Sequence, residues 1–98
     1  MKEEQKRRQI KVNIPKEISD GIYSNVAFIN FNNAEFVLDF ARILPAISEA
    51  KIHARIVLTP PHCKRIMRLL EDNIKKYEEK YGEIAIPEQG ESRKDIGF

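Results

Sequence analysis

One long amphipathic helix constrains the fold of this 98-residue chain more than any other feature of its sequence. Thr59 is a suitable N-cap, and Pro60 and Pro61 suit the first turn because their missing amide hydrogens would have no partner there. Gly82 stands where a left-handed residue commonly ends a helix. Between them, apolar side chains recur at spacings of three and four: Cys63, Ile66, Met67, Leu70, Ile74, Tyr77 and Tyr81. This spacing predicts a helix over about residues 60–81.

Three other stretches have the composition of β-strands. Residues 9–15, "QIKVNIP", and 51–59, "KIHARIVLT", alternate apolar and polar side chains, and residues 21–31, "GIYSNVAFINF", are rich in β-branched and aromatic types. We predict one strand within each stretch.

Residues 34–44 fit two patterns. As a helix they would place Glu35, Asp39 and Arg42 on one polar face. As a strand they would pair with the preceding strand through a tight turn at Asn32 and Asn33. We favour the strand because that turn matches apolar side chains across both faces. The predicted partners are Ile29 with Phe36, Ala27 with Leu38, Asn25 with Phe40, and Phe28 with Val37.

These elements predict an α+β fold, with a four-stranded antiparallel sheet (a meander) followed by one long C-terminal helix packed on one face. The face expected beneath the helix carries Ile29, Phe36, Leu38, Phe40, Ile52, Ile56 and Leu58. The other face is a candidate oligomer or partner interface, with Ile22, Val26, Phe28, Val37, Ala41, Ile43 and Val57. Leaving such side chains in water forfeits about 1.5 to 3 kcal/mol each, which favours burial by a second copy in a dimer or tetramer.

Charged residues also fall on this second face. Glu35, Asp39, Lys51 and Arg55 are candidates for cross-strand ion pairs. The alternative is that they make it an ordinary solvated sheet face.

Composition bounds the domain organisation and the cell compartment. We expect a mobile charged arm at residues 1–8, a single domain at 9–82 and a mostly disordered tail at 83–98. No apolar run approaches the roughly 20 residues of a membrane span, and no secretory signal is visible. The single cysteine, Cys63, fits a reducing compartment, so we expect a cytoplasmic protein.

The sequence holds no pattern for a catalytic, metal or cofactor site, and we expect neither an enzyme nor a cofactor. His62 beside Cys63 lacks the further ligands that zinc requires. Basic residues offer an alternative function, weak non-specific binding of nucleic acid through phosphate contacts. The candidates are Lys6, Arg7 and Arg8 in the arm and Lys64, Arg65 and Arg68 at the start of the helix. Acidic neighbours and a net charge of +2 argue against it.

Three stretches carry a resemblance to a known family: "ISDGIYSNVAFINF", "EFVLDFARILP" and "ARIVLTPPHCKRIMRLLEDNIKKYEEKYGEI". Over about residues 9–84 the chain resembles the uncharacterised prokaryotic family called domain of unknown function 3467. Its distinctive parts are Tyr23 to Asn25 and the residues around Asp39. The order of strands and helix is also similar in topology to the export chaperone SecB. The resemblance implies no activity, and we expect a small homo-oligomer that binds protein or peptide through an apolar sheet surface.

Overall fold

The computed structural model describes residues 9–46, 48–87 and 96–97. It confirms an α+β fold with an antiparallel sheet and a long C-terminal helix. The elements are α1 (Lys16–Ser19), β1 (Val26–Phe31), β2 (Phe36–Arg42), β3 (Lys51–Leu58), α2 (Pro60–Tyr81) and β4 (Ile96–Gly97). In the sheet the strand order is β3-β2-β1-β4.

The meander has three strands, so the prediction of four was wrong. Residues 9–15 form no strand, and Ile10, Val12 and Ile14 are exposed. Their alternation suits an extended chain but does not supply a strand to pair with. At the free edge of β1, where a fourth strand was expected, the two-residue β4 pairs with Ala27 and Phe28.

Residues 36–42 are extended, which confirms the strand over the helix for this stretch. The turn before β2 is longer than predicted, because the backbone amide of Asn32 donates to the Glu35 carbonyl at 3.0 Å. The Asn32 Oδ1 atom also accepts from the amides of Ala34 and Glu35 at 2.8 and 2.9 Å. Ile29 therefore lies opposite Leu38 instead of Phe36. Since the shift is two residues, every side chain stays on its predicted face.

A β-bulge interrupts the pairing of β2 with β3. Phe40 lies opposite Ala54, but the next residue, Ala41, lies opposite Ile52, so His53 is an extra residue in β3. Cross-strand partners share a face, and Ile52 therefore joins Ala41. The prediction that Ile52 shares a face with Ile56 was wrong for this reason.

Helix α2 has the predicted bounds. The Thr59 hydroxyl accepts from the His62 amide at 3.4 Å, and Gly82 ends the helix with φ 99° while its amide donates to the Glu78 carbonyl at 2.9 Å. The expected packing of the helix on the sheet is absent. No residue of α2 is buried, and within the described residues no strand packs along its length.

The core is consequently small. Within the described residues the buried apolar side chains are Val26, Ala41 and Leu58. Val26 and Ala41 lie opposite each other on one face, whereas Leu58 ends β3 on the other. No helix in the described part of the chain is long and apolar enough to cross a membrane.

Candidate functional site

One side of the sheet is an almost continuous apolar surface, which we call the apolar sheet face. It is formed by Ala27, Ile29 and Phe31 of β1, Phe36, Leu38 and Phe40 of β2, and Ala54, Ile56 and Leu58 of β3. The rings of Phe31 and Phe36 pack together with centroids 5.5 Å apart. Leu58 is buried, Ile29, Phe31 and Ile56 are exposed, and the other five members are half-buried, so the described residues cover this face only in part.

Helix α2 carries a second apolar surface, which we call the α2 stripe. Its members are Cys63, Ile66, Met67, Leu70, Ile74, Tyr77 and Tyr81. Cys63 and Ile66 are half-buried, and the five that follow them are exposed. The rings of Tyr77 and Tyr81 lie 5.0 Å apart. The exposed part of the α2 stripe therefore begins at Met67, about two turns into the helix.

The opposite side of the sheet, predicted as the interface, is more covered than the apolar sheet face. Val26 and Ala41 are 2% and 0% exposed, and Phe28, Val37 and Ile43 are half-buried. Ile22 and Val57 are exposed. Ile52, which the bulge adds to this side, is exposed as well.

An ion pair is built into this second side. Asp39 lies directly opposite Arg55, whose Nε and Nη2 atoms donate to the two carboxylate oxygens at 2.7 and 2.8 Å. Asp39 is 3% exposed, whereas the Arg55 side chain reaches into water. The hydrogen bonds from Arg55 hold the pKa of Asp39 below its ordinary value, against the opposing effect of burial. The same contacts raise the pKa of Arg55.

The other two residues predicted to form cross-strand pairs lie elsewhere. Glu35 is in the turn between β1 and β2, and Lys51 lies opposite Arg42. Lys51, Arg42 and His53 line an open recess of about 530 Å³, together with Leu44 and Glu49. No sequence pattern indicated this recess, and one of its lining residues is His53, the extra residue of the bulge near the start of β3.

The segment leading into β1 is fastened to β2 by side chains. The Asn25 Nδ2 atom donates to the Ile43 carbonyl at 3.0 Å, and its Oδ1 atom accepts from the Ile43 amide at 2.9 Å. The Ser24 hydroxyl contacts the Ala41 carbonyl at 3.0 Å, and the Arg42 guanidinium lies 5.6 Å from the centre of the Tyr23 ring. Asn25 is exposed and not core-facing, and it extends the sheet by imitating a backbone partner.

The remaining candidate residues form no visible centre. Within the described ranges, no three histidine, cysteine or acidic side chains cluster as metal ligands would. His62, Lys64, Arg65 and Arg68 are exposed on the first half of α2. Lys6, Arg7 and Arg8, predicted as phosphate contacts, lie outside the described residues.

Comparison with known proteins gives one match. The family model described as "Protein of unknown function (DUF3467)" matches residues 1–86. No curated protein and no solved structure matches the chain. The similarity of topology to SecB stays a prediction.

Proposed function

The chain belongs to this family of proteins of unknown function, and we propose that it is a homo-oligomeric protein that works by binding polypeptide. The observation that carries the proposal is the exposure of both the apolar sheet face and the α2 stripe in a single subunit. Burial of either surface would stabilise the protein, and the described residues leave part of both exposed.

The exposed apolar side chains support association. The apolar sheet face and the α2 stripe hold eight that are each between 45% and 73% exposed: Ile29, Phe31, Ile56, Met67, Leu70, Ile74, Tyr77 and Tyr81. Fully burying an apolar side chain of this size contributes on the order of 1.5 to 3 kcal/mol.

The number of apolar sheet sides, compared with the number of helices, supports the binding of a partner as well as self-association. The sheet has two sides with exposed apolar residues, and each chain has one long helix to cover them. Whichever copy supplies that helix, one side per chain stays available to a partner. On the side of Asp39, the exposed apolar residues are Ile22, Ile52 and Val57. A flat apolar surface with a charged rim suits a polypeptide segment better than a small molecule, which needs a concave pocket.

Size-exclusion chromatography with light scattering on the full chain tests the oligomer. We expect a mass of at least twice 11.4 kDa at micromolar concentration. A clean monomer would remove the main support for the proposal.

Binding is tested by fluorescence anisotropy with a labelled, permanently unfolded polypeptide. Val57→Glu should weaken binding, because it places a charge within the exposed apolar patch. Asn30→Glu is the matched control: it adds the same charge to the same side of the sheet at a position that is already polar. Equal affinities for the two variants would contradict this use of the surface.

A further inference from the structure

We propose that two copies of this chain exchange helix α2, so that the α2 stripe of each copy packs on the apolar sheet face of the other. This inference rests on the homo-oligomer proposed above and names the segment that holds it together. Two observations carry it: the connection between β3 and α2, and the match between the two exposed surfaces.

The connection is a single residue. Strand β3 ends at Leu58 and α2 begins at Pro60, so Thr59 alone joins them. Loops between a strand and a helix that packs back on its own sheet usually have two to six residues. Thr59 is extended, with φ −70° and ψ 154°, as expected for a residue before proline. The chain therefore passes from the strand to the helix through one extended residue and no loop.

Local contacts lock this geometry. The Thr59 carbonyl accepts from the Cys63 amide at 2.9 Å, and its hydroxyl caps the first turn. Pro60 and Pro61 have fixed φ angles, so the turn cannot be rearranged by rotating them. For α2 to fold back over its own strands, the cap and the first turn would have to open. A short, stiff connection of this kind favours exchange between copies.

The two surfaces match in size. The α2 stripe from Ile66 to Tyr81 is about 22 Å long at 1.5 Å per residue. The strands of the sheet have six to eight residues, or about 20 to 27 Å. A helix of this length would cover the apolar sheet face from end to end. The charged pairs Glu71 with Lys75 and Asp72 with Lys76 lie on other sides of the helix and would stay in water.

A second copy is the occupant because it supplies both missing surfaces at once. Within the described residues of one chain, the exposed parts of the apolar sheet face and of the α2 stripe do not cover each other, and a two-fold exchange would bury both in both chains. Each helix-on-sheet contact extends over the roughly 22 Å of the α2 stripe, and a two-fold exchange forms two such contacts.

Isotope-filtered NMR on the full chain tests the exchange directly. Labelled and unlabelled protein are mixed in denaturant and refolded together. We expect nuclear Overhauser contacts between the Leu70 or Ile74 methyl groups and the Phe40 ring, and we expect them between labelled and unlabelled chains. Contacts of this kind found solely within one chain would overturn the exchange, as would a dimer held by α2 against α2.

A change in the connection provides a second test. A flexible Gly/Ser linker of about six residues inserted between Leu58 and Thr59 keeps the cap and lets α2 fold back. We expect the mass of the exchanged pair to fall by half with helix content unchanged. The same linker inserted after Gly82 is the control and should leave the mass unchanged.

The outcomes separate the two proposals. If the wild-type protein is an oligomer and the Leu58 insertion leaves its mass unchanged, the exchange is wrong and the oligomer stands. If the wild-type protein is a monomer, both fail.

Discussion

Two neighbouring leucines on α2 allow the association to be measured with an internal control. Leu70 belongs to the α2 stripe and is 57% exposed in one subunit, while Leu69 is 62% exposed and lies about 100° away around the helix. Leucine to alanine removes three carbons, each worth about 0.8 kcal/mol on burial. Scaling this by the 57% that remains to be buried gives about 1.4 kcal/mol per copy for Leu70→Ala.

In a two-fold dimer the loss occurs twice. The total of about 2.7 kcal/mol should raise the dissociation constant of the dimer about a hundredfold. Leu69→Ala removes the same atoms from a position that stays in water, so its effect should be within about threefold. Alanine has a slightly higher helix propensity than leucine, so neither change weakens the helix itself.

Sedimentation velocity over a concentration series gives the two constants, and circular dichroism confirms equal helix content at high concentration. Where the dimer is too tight to dilute apart, the same difference appears in the protein-concentration dependence of the urea midpoint. Equal effects of the two substitutions would refute the reasoning, because burial of the α2 stripe predicts that they differ.

Three further predictions concern the subunit. Because Arg55 holds the pKa of Asp39 below its ordinary value, the ion pair adds stability above about pH 4 and loses it as the pH falls through the lowered pKa. The urea midpoint of Asp39→Asn should therefore lie below that of the wild type at pH 7 and approach it in acid; a constant gap would contradict this. Asn25→Ala should cost about 1 kcal/mol and remove hydrogen-exchange protection from the Ile43 amide, whereas Asn25→Asp, which keeps the accepting oxygen, should retain that protection. Gly82→Ala should lower the free energy of unfolding by about 1 kcal/mol at unchanged helix content, because its φ of 99° with ψ 167° is strained for alanine; an unchanged urea midpoint would rule this out.

Local sequence signals predicted β1, β2, β3 and α2, although the strand predicted within residues 9–15 was wrong. Thr59, Pro60 and Gly82 bracket α2 at the residues where the structure begins and ends it, because caps and prolines act within one turn. The strand at residues 36–42 was predicted within 34–44 because its apolar side chains match those of the preceding strand. The observed register differs by two residues, so the same side chains still share a face.

Signals that depend on side-chain detail were not visible. The Asn32 side chain lengthens the turn by accepting hydrogen bonds from two backbone amides. The sequence "FNNAEF" is equally compatible with this longer turn and with a two-residue turn. The bulge at His53 is hidden by an alternation that looks regular in sequence. Asn25 was predicted opposite Phe40, whereas its side chain binds the backbone of Ile43.

The packing of the helix on the sheet was predicted from the apolar stripe on α2. The stripe indicates that this side of the helix requires burial, but it does not indicate whether the sheet of the same chain or of a second copy provides it. A stripe on α2 and a stripe on the sheet show that both require cover. They do not show that a one-residue connection keeps them apart within one chain. That information lies in Thr59, Pro60 and Pro61, whose sequence pattern predicts only a cap and a first turn.

The outer position of β3 has a consequence for solubility. With the order β3-β2-β1-β4, one long margin of this strand faces outward, and no other strand pairs with it among residues 9–46, 48–87 and 96–97. Such a margin invites a neighbouring molecule to add its own strand and begin a fibril. Lys51 and Arg55 are repeated in every copy along that margin, so two copies approaching side by side bring like charges together. The basic residues of β3 thus disfavour edge-to-edge pairing between the sheets of two molecules.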